Sequence, residues 1–329
     1  MHWLGSDYSR DLYHHELQYL FDHGEYTEVR GRKTMETLDF ITEVRQPWHH
    51  CILLPSRHWN PWLAMSEALW ILAGRNDVAT LKPYNQHISD YSDDGVTLYG
   101  AYGRRIYNQI DPLIERLRKD PSDRRAVLQI WTTIGSNENG WWDLGSETKD
   151  PPCNDMVFFK LRNNKLHMTV INRSNDIHFG LFAVKLPTFG ILQAYMAARL
   201  GVEMGYQTHL SNSLHVYIDD ERAKAITERM LFDEPEDRPA YPSHSLVFNP
   251  RDVEKITSHA QFAEMCSDVL DTAQNGGKLP KASYPLFLAF ATAFLHSYKE
   301  RIAPNFQQFP EFQDWELAGK IFAQKVWHK

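Results

Sequence analysis

The sequence predicts an α/β protein with a mixed sheet flanked by helices. Strand-like runs interleave with helical ones, and neither a regular strand–helix–strand rhythm nor a Gly-x-Gly-x-x-Gly loop is present. No Pro-, Gly- or Ser-rich linker interrupts the 329 residues, so one domain over 1–329 is expected.

Each element has a local signal. Leu12, Leu17, Leu20 and Phe21 recur at helical spacing, which predicts an amphipathic helix over 12–22. From Trp62 to Ala73 the run is apolar on nearly every side and Gly74 supplies a stop, the pattern of a buried helix. Pro112–Arg118 reads as a further helix and Ala126–Thr133 as a strand. Residues 134–152 are turn-rich. Val157–Leu161 and Leu166–Ile171 flank Asn163-Asn164, which reads as a β-hairpin. Thr188–Leu200 is helical and ends at Gly201. Residues 233–242 form an acidic, proline-broken surface loop. Helix returns around 258–273, 286–301 and 314–327.

Composition narrows the function. Lys and Arg number 35 against 42 Asp and Glu, a formal charge of −7. That balance argues against a nucleic-acid coat protein but allows a small anionic substrate held by a local arginine cluster. The three cysteines, Cys51, Cys153 and Cys266, are widely spaced and fit neither a disulfide framework nor a Cys-x-x-Cys metal site. His49-His50-Cys51 is a poor metal site, because adjacent residues of a strand face opposite ways. The opening segment has no apolar run and Leu286–Leu295 is too short to span a bilayer, so a soluble cytoplasmic protein with no membrane partner is expected.

Several residues carry chemistry. Cys153 follows Pro151-Pro152 at a loop–strand junction, among polar neighbours rather than the apolar ones of a structural thiol. Glu67 lies in an otherwise apolar helix, where a carboxylate needs a partner or a task and desolvation raises its pKa toward acid–base work. Arg30 with Arg32, Arg124 with Arg125, and Arg173 form small basic groups that suit a phosphate. No Walker A loop is present. Arg173–Gly180 is dense in polar side chains, and strand alternation puts His215 and Tyr217 on one face.

Taken in order, these pieces resemble the thymidylate synthase superfamily, and most closely its pyrimidine-nucleotide 5-hydroxymethylases. The motifs are Ser66-Glu67-Ala68 through Gly74, Tyr102-Gly103, Asp123-Arg124-Arg125 and Pro152-Cys153. They continue with Arg173-Ser174-Asn175-Asp176 through Gly180, Val202–Gly205 and His215-Val216-Tyr217. The likeness covers roughly 25–220 and leaves a C-terminal helical extension, about 221–329, without a functional account. The fold implied is a twisted mixed sheet that pairs sheet-to-sheet in a homodimer.

The resemblance also implies roles. Cys153 attacks C6 of a pyrimidine nucleoside monophosphate, and C5 then takes the one-carbon unit of 5,10-methylenetetrahydrofolate, releasing tetrahydrofolate. Glu67 and Tyr102 move protons, with Asp176 counted among the catalytic set. Arg32 and Arg173 hold the phosphate, and Arg124 and Arg125 reach it from the second subunit. Ser174, His215 and Tyr217 lie on the nucleotide side; Asp176, Gly180, Arg57 and Ser89 lie on the folate side. No metal and no nucleic acid is implied.

The sequence departs from the family at two places. Ser89 and Ser92 stand where thymidylate synthases carry tryptophans, and losing those walls favours adding water over transferring hydride. The base-reading position falls on Lys185 when counted back from Leu192-Gln193, and on Val184 when counted forward from Arg173. Lysine donates and cannot accept, so it serves uracil O4 or cytosine N3 but not the cytosine amino group. The expected activity is hydroxymethylation of dCMP or CMP, with dUMP as the other candidate. A divergent thymidylate synthase and a non-catalytic nucleotide- or RNA-binding homologue are the competing readings.

Overall fold

The computed structural model describes residues 2–49, 51–133, 143–231, 238–242, 248–276 and 284–327. Residues 134–142 of the turn-rich stretch, 233–237 of the acidic loop, and His50 therefore lie outside the described residues.

The chain opens with strand β1 (His2–Ser6), helix α1 (Ser9–His23) and strands β2 (Glu25–Val29) and β3 (Arg32–Val44). Helices α2 (Pro61–Leu72), α3 (Val78–Leu81), α4 (Tyr102–Ile106) and α5 (Ile110–Lys119) follow. Strands β4 (Val127–Gln129), β5 (Asn154–Arg162), β6 (Lys165–Asn172) and β7 (Asn175–Asp176) lead into a π-helix over Ile177–Lys185. This continues directly into α6 (Leu186–Leu200), and β8 (Glu203–Tyr217) completes the sheet. Five α-helices follow among the described residues: α7 (Glu221–Leu231), α8 (Pro250–Val253), α9 (His259–Asn275), α10 (Leu286–Lys299) and α11 (Gln313–Phe322).

The sheet runs in the order β1-β3-β8-β6-β5-β4, with β2 on β3 and β7 on β8. It is mixed as expected: β1 runs parallel to β3 and β6 parallel to β8, whereas β3 with β8 and β5 with β6 are antiparallel. The β5–β6 hairpin turns at Asn163 and Asn164, with φ of 51° and 59°. Asn tolerates the left-handed region, and two such residues match the type I′ turn that suits twisted strands. Gly201 ends α6 with φ of 69°, as the sequence indicates.

Differences from the sequence reading are local. The first helix extends over Ser9–His23, and Phe21, expected in its core face, is 39 % exposed. The strand expected over 126–133 shrinks to Val127–Gln129, an edge strand that ends where Ile130 and Trp131 both donate to the Asp155 carbonyl. His49 and Cys51 each lie in loop rather than strand. His49 packs against Tyr241 there, and Cys51 is buried. Among the described residues no group of His, Cys, Asp and Glu is arranged to hold a metal.

α6 is the central core helix, with almost every side chain from Leu186 to Arg199 buried. With the π-helix it makes a 24-residue run apolar and long enough to cross a membrane, yet 94 % of its most apolar window is buried inside the fold. α2 packs against α6 on one side and against α9, α10 and α11 on the other. The indole N–H of Trp62 donates to the Phe294 carbonyl at 2.7 Å, and the two rings stack at 5.0 Å. The C-terminal helices thus form a second apolar layer over the helix that carries Glu67.

Candidate active site

The hairpin and its neighbours bring the reactive groups to one end of the sheet. β5 begins immediately after Cys153, and Asn154 pairs in register with Asn172, which pairs with Ser211 of β8. The Asn154 amide donates to Asn172 Oδ1 at 2.6 Å, locking the two strand ends level. Arg173 follows directly. Its backbone N–H donates to the Cys153 carbonyl at 3.1 Å. Its guanidinium donates to the Pro152 carbonyl at 2.9 Å and the Pro151 carbonyl at 3.1 Å. That anchorage leaves Nη2 4.0 Å from Cys153 Sγ, which puts a guanidinium beside the thiol.

Two helices bring proton-handling groups to the thiol. α4 approaches α2 so closely that a Cβ on Gly103 would stand 2.2 Å from the Ile71 carbonyl oxygen. The residue before it, Tyr102, thereby faces both Glu67 and Cys153. Burial holds the phenol far above its ordinary pKa, with the Cys153 thiol, Asp150 and Glu67 adding to the rise. Burial likewise lifts Glu67 to about 7, against the pull of Lys185 and with help from Asp150. Asp150 itself, accepting from the Gly100 N–H at 2.8 Å, is lifted by burial to about 6. A carboxyl near 7 can give and take a proton at neutral pH.

The opposite wall is built by β7, β8 and the π-helix. Asp176 pairs in register with His215, and its carboxylate accepts the Phe179 N–H to cap the π-helix. Its second oxygen, Oδ2, is buried with no hydrogen-bond partner, and burial raises its pKa. His215 and Tyr217 share a face as expected, with ring centroids 5.3 Å apart. Arg32 lies over the Tyr217 ring at 4.8 Å and forms ion pairs at 3.2 Å with both Asp219 and Asp220. Lys185 is 6 % exposed; its ammonium donates to Asn175 Oδ1 at 3.0 Å and to the Ser174 carbonyl at 3.3 Å. Gly180 faces Lys185 and Asn175, leaving room that a side chain would take.

Cys153, Glu67, Tyr102, Arg173, Ser174, Asp176, Gly180, Lys185, His215 and Tyr217 therefore converge, and Arg32 reaches their edge. Other sequence candidates do not join them. Arg57 is 7 % exposed, donating to the His178 carbonyl at 2.7 Å and lying over Tyr13. It braces α1 against the π-helix and presents no open face to a ligand. Arg124 and Arg125 are exposed, and Arg125 is clamped by Asp123 at 2.8 Å. They precede β4, beside the far end of β5 from Cys153, roughly 20 Å away at about 3.3 Å per strand residue. Ser92 is 4 % exposed, and its one hydroxyl proton lies between the Thr97 carbonyl and Asp94 within its own turn. Ser89 has a buried hydroxyl with no partner.

The sequence reading missed Asp150, Asp155 and Tyr91. Asp155 sits beside Arg173 and Lys185, with burial lifting it to about 6. Tyr91 shares an electrostatic neighbourhood with Asp176 and Arg222. The available signal was proximity, since Asp150 and Asp155 bracket Cys153 in the chain.

Residues 11–266 match the thymidylate synthase family. The chain belongs to that family. It is 39 % identical over 232 residues to a deoxyuridylate hydroxymethyltransferase of Bacillus phage SP01, covering 66 % of this chain and 59 % of that protein. It is 35 % identical over 178 residues to one from Pseudomonas phage M6, covering 52 % and 49 % respectively. A putative thymidylate synthase of Methanosarcina acetivorans is 26 % identical over 211 residues, covering 64 % of this chain and 87 % of that protein. The aligned region thus takes in only about half of each phage relative's length. The family match begins before and ends beyond the span of the recognisable motifs, taking in α1 and the first half of α9.

Proposed function

We propose that this chain is a one-carbon transferase that hydroxymethylates C5 of a pyrimidine nucleoside monophosphate. The observation that carries the proposal is the convergence of Cys153, Arg173, Glu67 and Tyr102 in a member of this family; the names of the phage relatives favour hydroxymethyl over methyl as the product.

The chemistry follows from the groups in place. Cys153 Sγ forms a bond to C6, and the C5–C6 π pair becomes available at C5. Methylenetetrahydrofolate supplies a one-carbon unit at the oxidation level of formaldehyde. Asp176 fits a pterin, because its buried second oxygen lacks a donor and a pterin presents N–H groups. In this reading Tyr102, kept protonated by burial, relays the C5 proton: its oxygen receives that proton as its own passes toward Glu67, which is near neutrality. Loss of the C5 proton expels tetrahydrofolate, whose bond to the transferred carbon breaks, and leaves an exocyclic methylene at C5; water adds to that carbon, and the Cys153–C6 bond then breaks to restore the C5–C6 double bond and free the thiolate.

Arg173 and Arg32 are assigned to the nucleotide phosphate, and Ser174, His215 and Tyr217 to the sugar and base edge. Arg124 and Arg125 belong in this reading to the site of a second copy. A homodimer through the sheet is supported by its less covered face, where Leu38 and Tyr206 are 60 % and 41 % exposed.

The test is incubation with dUMP, dCMP or CMP and methylenetetrahydrofolate, reading the folate product. Tetrahydrofolate with a 5-hydroxymethyl nucleotide is expected, and Cys153→Ala abolishes it while nucleotide binding survives. Dihydrofolate in its place identifies a thymidylate synthase and overturns the hydroxymethyl assignment.

A further inference from the structure

The proposed reaction removes two protons in succession. The first leaves C5 by way of Tyr102 and comes to rest on Glu67. The second leaves the water that adds to the exocyclic methylene. A carboxyl that is already protonated cannot take it, so the water step needs another base on the same side of the site. Asp150 is a carboxylate there that neither thiol attack nor loss of the C5 proton uses.

Its position is fixed from both ends. Asp150 Oδ2 accepts the Gly100 N–H at 2.8 Å, and its own backbone N–H donates to Thr148 Oγ1 at 3.2 Å. The two backbones meet so closely that a Cβ on Gly100 would stand 2.5 Å from the Asp150 carbonyl oxygen. Gly100 lies two residues before Tyr102, and Asp150 three before Cys153. Arg173 holds the carbonyls of the intervening Pro151 and Pro152, so carboxylate and thiol are carried on one anchored stretch. Asp150 Oδ1 accepts from no donor among the described residues and, unlike Asp176 Oδ2, is not sealed from solvent.

The surroundings suit a base. Asp150 adds to the rise of both Glu67 and Tyr102, which puts it within electrostatic reach of each. The charged groups facing Asp150 in turn are Arg105, itself paired with Asp143 at 2.7 Å, and Asp93. Burial lifts Asp150 only to about 6, so it is ionised at neutral pH. Asp155 faces Arg173 and Lys185 instead, two cations that favour its charged form and weaken it as a base.

We propose that Asp150 is the general base that takes a proton from water as that water adds to the exocyclic methylene. This rests on the proposed hydroxymethylation and deepens it by naming the residue that activates the water. Oδ1 takes the proton while the water oxygen bonds to the exocyclic carbon, and the methylene π pair moves onto C5. That pair then forms the C5–C6 double bond as the Cys153–C6 bond breaks, and Sγ leaves as thiolate. The proton passes from Oδ1 to solvent.

The test uses the full chain with methylenetetrahydrofolate, C5-tritiated dUMP, dCMP or CMP, and added 2-mercaptoethanol. The thiolate of 2-mercaptoethanol competes with water for the exocyclic methylene and needs no base. The ratio of thioether to hydroxymethyl nucleotide therefore reads the water step alone, whatever the rate of tritium release. In Asp150→Asn, which keeps an acceptor for Gly100, that ratio is expected to rise about 100-fold over wild type, the order of a general-base contribution. Asp150→Ser, a second variant without the carboxylate, is expected to behave alike, and Asp150→Glu to return toward wild type. An unchanged ratio in a variant that releases tritium overturns the assignment and leaves the proposed function intact. Loss of tritium release from folded Asp150→Asn and Asp150→Ser also overturns it, by placing the residue before the water step. No release by wild type from any of the three nucleotides, or dihydrofolate with a methyl product, overturns the proposed function and this inference with it.

Discussion

Replacing Glu67 by Gln separates its chemical role from its cost to the fold. The carboxyl is lifted from an ordinary 4.5 to about 7, chiefly by burial. At about 1.4 kcal/mol per pH unit, that rise corresponds to about 3 kcal/mol. The sign follows from proton binding. The native chain keeps this proton to a higher pH than the unfolded chain does, so stability falls as pH climbs from about 4.5 toward about 7. Below that window both states are protonated; above it both are ionised and the full cost is present. Gln carries no such dependence. The stability difference between Glu67→Gln and wild type should therefore grow in favour of the variant across the window, reaching about 3 kcal/mol and then levelling. Urea unfolding at a series of pH values reads this directly, with the unchanged m-value showing that the unfolded states compare. The same variant should lose release of the C5 hydrogen at every pH. A stability difference flat with pH would mean that Glu67 ionises normally and would refute the desolvation reasoning.

Two further substitutions test how the site is held. Gly103→Ala places a methyl 2.2 Å from the Ile71 carbonyl oxygen and must push α4 from α2. It should cost about 1–3 kcal/mol in urea unfolding and slow C5 hydrogen release by displacing Tyr102 from Glu67. Phe294→Ala removes the ring stacked on Trp62 and should cost about 3–5 kcal/mol, with a changed near-ultraviolet circular dichroism signal from Trp62.

What the sequence made legible was what is encoded locally. The Asn163-Asn164 turn, the stop at Gly201, the apolar run around Glu67 and the alternation of His215 with Tyr217 each depend on a few neighbouring residues. Pairings across the sheet are not local: nothing within His2–Ser6 announces a parallel partner thirty-odd residues on. Arg57 and Arg125 illustrate the limit for side chains. Each looks like an anion ligand in isolation, yet the His178 carbonyl and Asp123 claim them. The π-helix was illegible for a different reason. A π turn differs from an α turn only in which carbonyl each N–H reaches, and the residues of Ile177–Lys185 do not announce that.

The apolar layer over α2 changes where the site can be altered. A helix gripped between α6 and the C-terminal helices transmits small displacements, because close-packed interiors shift rather than compress. Substitutions near Trp315 or Phe294, more than a hundred residues along the chain from Cys153, can therefore retune the placement of Glu67 while every group in the pocket stays the same. Variation in turnover among such proteins can be sought in that layer as well as in the pocket.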